Sequence, residues 1–105
     1  MTVVALLSVA PVTEESMAGE VAKAVDALDE FDVRYETNPM GTVIEAAEVE
    51  EIFAAAQAAH MAVDGDRVST FLKIDDKRTS EGTASEKVDA VERELGRTAS
   101  GNPDE

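Results

Sequence analysis

Cysteine is absent from the chain, which removes disulfides, thiolate metal sites and cysteine nucleophiles together. Aromatic residues are scarce, at 4%, so any core must be built from Val, Ile, Leu, Met and Ala. Basic residues are scarce too. Nine Lys and Arg stand against 23 Asp and Glu, a net charge of −14. Phosphate backbones need a basic face, so nucleic acid is excluded as a partner. No apolar run approaches the roughly 20 residues of a membrane span. No basic region precedes Val3–Leu7, so no signal peptide is expected, and a cytoplasmic protein is the default. There is no P-loop, no dinucleotide-binding glycine run and no nucleophile elbow. The single histidine, His60, has no second imidazole to join it.

What is present is a chain of 105 residues, 44% of them hydrophobic, long enough for one domain. The acidic excess reads either as an ordinary solvated surface or as adaptation to salt. Self-repulsion of this size loosens a compact state in dilute buffer, and in molar salt the Debye length falls to about 3 Å. The expectation is a salt-loving, archaeal source.

Thr2–Val9 is Val- and Leu-rich, as a buried strand should be, and Pro11 stops it. Thr13 or Ser16 is the expected N-cap of a first helix. Met17, Val21, Ala24, Val25 and Leu28 fall on one face of it. Val33–Thr37 reads as a strand. Asn38-Pro39-Met40-Gly41 fits a type I turn, and Thr42–Ala46 returns as the next strand. Glu48–Val63 is a second helix with Val49, Ile52, Phe53, Ala56, Ala59, His60 and Val63 as its buried stripe. Arg67–Ile74 is a fourth strand, and Asp75–Gly82 a polar loop. Thr83 and Glu86 form a capping box for a short third helix that carries Val88, Val91 and Leu95 on one face. From Gly96 onward the chain reads as a disordered acidic tail, so 1–95 is the expected domain and 96–105 the tail.

This order predicts an α+β, ferredoxin-like βαββαβ sandwich with an extra C-terminal helix. The two main helices can cover only one face of the sheet. The other would expose Val4, Leu6, Val43 and Phe71, a patch that a soluble monomer rarely leaves bare. A second copy is therefore expected to cover it, sheet against sheet. Ser8, Glu45 and Lys73 share this face. With the first and third strands taken as parallel neighbours, Ser8 and Glu45 should lie near one end and Lys73 toward the other. Glu45 then either pairs with a basic neighbour or meets a ligand.

Asn38-Pro39-Met40-Gly41-Thr42-Val43-Ile44-Glu45 and Leu72-Lys73-Ile74-Asp75-Asp76-Lys77-Arg78 resemble the small thiamine-binding protein family, and Ser8-Val9-Ala10-Pro11 fits its first-strand motif. The chain departs from the usual pattern at Asn38, where Thr is common, at Ala46, where Gly is common, and at Lys77, where Arg is common. The resemblance implies the same ferredoxin-like fold, homodimers or homotetramers built from sheet-packed dimers, and binding of thiamine or its hydroxymethylpyrimidine part, with no further cofactor required. Thiamine carries a cation and an aminopyrimidine with donors and acceptors. Glu45 can meet either, and the Ser8, Thr37 and Thr42 hydroxyls can orient the ring. Phe71 or Met40 can pack on it. Lys73 suits a phosphorylated ligand, or a carboxylate partner. The expected ligand contacts are Glu45 first, then Ser8 and Thr42, with Lys73 and Thr37 behind.

Three functions compete. The first is binding without turnover at a subunit interface. The second is a small enzyme with Glu45 as acid or base, disfavoured because no second catalytic partner stands out beside it. The third is a structural or regulatory oligomer. His60 is expected to be a packed histidine. Asp75-Asp76 lacks the ligand count of a metal site, and a link to Arg78 or Arg67 is expected instead.

Overall fold

A computed structural model describes residues 2–79 and 82–101. The elements run β1 (Val3–Pro11), α1 (Ala18–Ala27) continued by a 3-10 turn (Leu28–Glu30), β2 (Arg34–Asn38), β3 (Gly41–Ala46), α2 (Val49–Ala62), β4 (Val68–Asp76) and α3 (Ala84–Leu95). The four strands form one sheet in the order β2-β3-β1-β4. This is the expected α+β, ferredoxin-like path with an added C-terminal helix. Ser80 and Glu81, within the polar loop after β4, and residues 102–105 of the expected tail lie outside the described residues. Before that, the Ala99 N–H donates to the Glu92 carboxylate at 2.8 Å.

One expectation about the sheet is wrong. β1 pairs antiparallel with both β3 and β4. A right-handed crossover makes β1 parallel to β2, and the tight hairpin then reverses β3. Val4 faces Glu45 and Leu6 faces Val43 across the ladder. Ser8 and Glu45 therefore sit at opposite ends of the sheet, not at the same end.

The alternation of β1 decides the core. Val3, Ala5, Leu7 and Val9 are buried under the helices, while Val4, Leu6, Ser8 and Ala10 on the other face are only half-buried. Ile44, Ile52, Ala55, Ala56, Ala59, Ala24 and Leu28 complete the core. The buried α2 stripe differs from expectation, with Val49 and His60 only half-buried. Phe53 is 57% exposed, and Ala55 is buried instead. Successive helical residues turn about 100°, so with Ile52 centred on the sheet Phe53 falls on the flank. Small residues at 55, 56 and 59 fill the packed face of α2.

α1 begins later than the sequence suggests. Met17 occupies the N-cap position without a side-chain cap. The Ser16 hydroxyl accepts the Ala18 N–H at 3.4 Å, and that of Thr13 the Glu15 N–H at 3.1 Å. α3 starts where expected, with the reciprocal Thr83–Glu86 capping box, and ends at Gly96 in the left-handed conformation, φ 73°. None of its residues is buried. Among the described residues, no helix is long and apolar enough to cross a membrane.

Candidate functional site

β1 outruns its neighbour. It pairs with β3 only from Val3 to Leu7, but with β4 all the way to Pro11. In an antiparallel ladder every second residue turns both its N–H and its C=O to the same side. Along Ser8–Pro11 the side toward β3 therefore holds backbone groups with no strand opposite them. α1 roofs this vacated lane, and the β2–β3 turn closes its end. The result is a cavity of about 200 Å3 lined by Leu7, Val9, Met17, Val21, Leu28 and Met40 among apolar groups, with Ser8, Thr37, Asn38 and Thr42 as the polar ones.

The turn that closes it is locally specified. Pro39 presets φ at the first corner, and the Asn38 side chain accepts the Met40 N–H at 2.8 Å. Gly41 has φ 154°, and a Cβ there would lie 2.8 Å from the Leu7 carbonyl oxygen and 3.1 Å from Leu6 Cδ1. Only glycine lets the hairpin approach β1 so closely. Thr37 and Thr42 are cross-strand partners on the helix-facing side. Their hydroxyls share a hydrogen bond of 3.0 Å. Thr42 is 5% exposed and is the buried polar residue among those described. Each hydroxyl keeps further hydrogen-bonding capacity after this bond.

The five residues expected to meet a ligand divide between the two faces. Thr37 and Thr42 line the cavity, and Ser8 borders it, although strand alternation turns the Ser8 side chain to the open face. Glu45 and Lys73 stand on that open face. Lys73 is opposite Leu6, and Glu45 is opposite Val4 on one side and Arg34 on the other. Glu45 lies at the α3 end of the sheet, where its carboxylate accepts the Ala84 N–H at 3.2 Å. Arg34, Glu36, Val43, Glu45, Ser85 and Val88 line a broad groove there. Of the two residues expected to pack on a ring, Met40 lines the cavity and Phe71, paired opposite Ser8, belongs to the open face.

His60, Asp75 and Asp76 each have a partner elsewhere, although Asp76 Oδ1 is buried without one among the described residues. His60 Nδ1 and Thr70 Oγ1 share a hydrogen bond of 2.5 Å. Asp76 pairs with Arg78 at 3.2 Å, and Asp75 with Lys87 of α3. The Lys87 ammonium bonded to Asp75 holds that carboxyl below the usual carboxylate range. Among the described residues no His, Asp and Glu cluster is arranged to hold a metal ion.

The sequence did not single out the lane itself. Its apolar walls read only as core, because Leu7, Val21 and Leu28 fit the core stripes equally well. A signal was present in the lengths: a β1 of nine residues beside a β3 of six must leave some of its backbone unpaired.

The chain belongs to the thiamine-binding protein family, which residues 5–92 match. A UPF0045 protein of Methanothermobacter thermautotrophicus is 43% identical over 83 residues, covering 76% of this chain and 84% of that protein. The crystal structure of the hypothetical protein MJ1052 of Methanocaldococcus jannaschii superposes with a TM-score of 0.79 at 39% identity, over 86% of this chain and 95% of the other. A Thermotoga maritima structure whose description proposes a role in thiamine biosynthesis or salvage gives a TM-score of 0.69 at 25% identity. It covers 87% and 99% of the two chains.

Proposed function

We propose that this protein binds thiamine, or the hydroxymethylpyrimidine part of it, without turning it over, and that the pyrimidine occupies the cavity between α1, β1 and the β2–β3 turn. The observation that carries this reading is the unpaired backbone lane of Ser8–Pro11 facing the Thr37–Thr42 pair. An aminopyrimidine presents a donor beside an acceptor in one plane, and so does a free strand lane. The apolar walls supply the ring's contact area. Size agrees as well. A cavity of roughly 150 Å3 accommodates a benzene ring, so one of about 200 Å3 suits a single substituted ring. The thiazolium of thiamine would then stand at the mouth, on a chain whose net charge of −14 favours a cation.

Placing the ring here moves the ligand away from Glu45. On the open face that carboxylate receives an α3 amide and stands beside Arg34. The five polar candidates thus split into two ring-orienting hydroxyls, Thr37 and Thr42, and an open-face set, Glu45, Lys73 and Ser8. We assign the second set to assembly. Two copies of the chain closing over Val4, Leu6, Val43 and Phe71 would bury that set at their interface. The acidic surface supports life in high salt, and the assays belong in molar salt.

Calorimetry with thiamine and hydroxymethylpyrimidine tests the reading. Thr42→Val should weaken binding roughly two- to tenfold, the worth of one neutral hydrogen bond of about 0.5–1.5 kcal/mol. Binding lost in Glu45→Gln but kept in Thr42→Val would transfer the ligand to the open face. Heat from neither ligand would leave a structural or regulatory oligomer. Conversion of either ligand would make the protein an enzyme.

A further inference from the structure

α3 is anchored at one end and unpacked along the rest. The Ala84 N–H meets Glu45 and the Lys87 ammonium meets Asp75, and both carboxylates belong to residues paired opposite Val4. The first turn of α3 therefore straddles β1 on the open face, at Val4. Beyond it the helix leaves the sheet. From Ser85 to Leu95 every residue is exposed except Glu92, which is half-buried and takes the Ala99 N–H. A helix of 12 residues without a packed face is at the lower limit of stability in water. Ala84, Val88, Val91 and Leu95 follow one another at intervals of four, three and four residues. That is the narrow seam by which one helix meets another.

The anchored turn also constrains how two copies can meet. Face-to-face sheets lie about 10 Å apart, and a helix with its side chains is about 10–12 Å across. Two open faces, each carrying an α3 at its Val4 end, cannot close flat along their whole length. Each must receive the other's helix in a recess. The groove between α3 and β2–β3 is such a recess, about 540 Å3 in volume, with Val43 on its sheet side and Val88 on its helix side. Arg34 lines it too. Neither Arg34 nor Glu94 of α3 makes an ion pair among the described residues. We propose that α3 is an exchanged arm: the seam of one copy lies in the groove of a second, which returns its own helix by the same two-fold operation. Val91 and Leu95 of each arm then pack on the partner's Val43 and the partner's Val88, and Glu94 reaches the partner's Arg34. The proposal rests on the closure of two open faces put forward above, supplies the element that lets them meet, and needs no ligand.

The chain has no cysteine, so introduced thiols report without background. Arg34→Cys and Glu94→Cys are combined in one full-length chain, which leaves the apolar seam intact. The protein is treated with a short bis-maleimide in molar salt. Peptide mapping should find residue 34 joined to residue 94 in a band of twice the chain mass. The same link in a band of single-chain mass overturns the proposal, because α3 would then close on its own groove. An oligomer without the link overturns it too and leaves the closure of the open faces standing. Val91→Glu, on the seam and away from both anchors, should weaken association at least about tenfold by sedimentation, since it sets a carboxylate in the apolar contact. Association unchanged in that variant also overturns the exchange. A wild-type monomer in molar salt overturns the closure, and the exchange with it.

Discussion

At the scale of single residues, Gly41 carries the strictest requirement in the chain. Its φ of 154° and the 2.8 Å approach of a would-be Cβ to the Leu7 carbonyl act together, and that nearest neighbour is backbone that cannot swing away. Gly41→Ala should cost about 1–3 kcal/mol, the usual worth of a forced backbone conformation, read as a lower denaturant midpoint with the slope unchanged. An unaltered midpoint would mean that the hairpin relaxes without loss. The turn itself was legible, because Asn, Pro and Gly each have a local reason for their place. What those letters do not show is the target of the close approach. Leu7 is far away in sequence and meets Gly41 only through the β1–β3 register.

At the scale of elements, α3 is a peripheral helix fixed by polar ties at its start. The Ala84 N–H donates to Glu45, and Lys87 pairs with Asp75. Asp75 has its folded-state carboxyl held below the ordinary range by Lys87. A depressed carboxyl contributes stability that is present above its unfolded pKa and lost as pH falls through its folded one. Amide-exchange protection of residues 84–95, corrected for intrinsic rates, should therefore decline as pH drops below the ordinary carboxylate range, about 4. In Asp75→Asn it should be lower already at neutral pH and less dependent on acid. Equal pH profiles for the two proteins would deny the pair any part in holding α3. The existence and caps of α3 follow from Thr83, Glu86 and Gly96, but where the helix docks does not. Its apolar residues Val88, Val91 and Leu95 remain exposed, and nothing in their spacing points to the Glu45 end of the sheet.

At the scale of the whole molecule, the protein is a slab only 18 Å thick along its shortest axis, thickness enough for a sheet and one layer of helices. Its face away from α1 and α2, met by α3 only at the Glu45 end, presents Val4, Leu6 and Val43 half-buried and Phe71 57% exposed. A second copy seated there would remove this patch from water at about 25 cal/mol per Å2 of apolar area. Sedimentation in molar salt should show an oligomer, and Leu6→Glu, which sets a carboxylate in the middle of the patch, should leave monomers. A wild-type monomer in molar salt would rule out this closure. The charge of −14 acts at the same scale. Resistance to unfolding should rise from dilute buffer to molar salt as the repulsion is screened.

Sequence by itself determined the element order, the core face of β1, the hairpin turn and the family, because each rests on local spacing or on a contiguous motif. Tertiary structure alone decided the direction of β1 against β3, and with it the separation of Ser8 from Glu45. It also decided which polar residues share a cavity. The lane beneath α1 exists because one strand runs past its neighbour while a turn from elsewhere in the chain closes the gap. Strand direction, strand overhang and closure are relations between segments distant in sequence, and local patterns of side chains do not encode them.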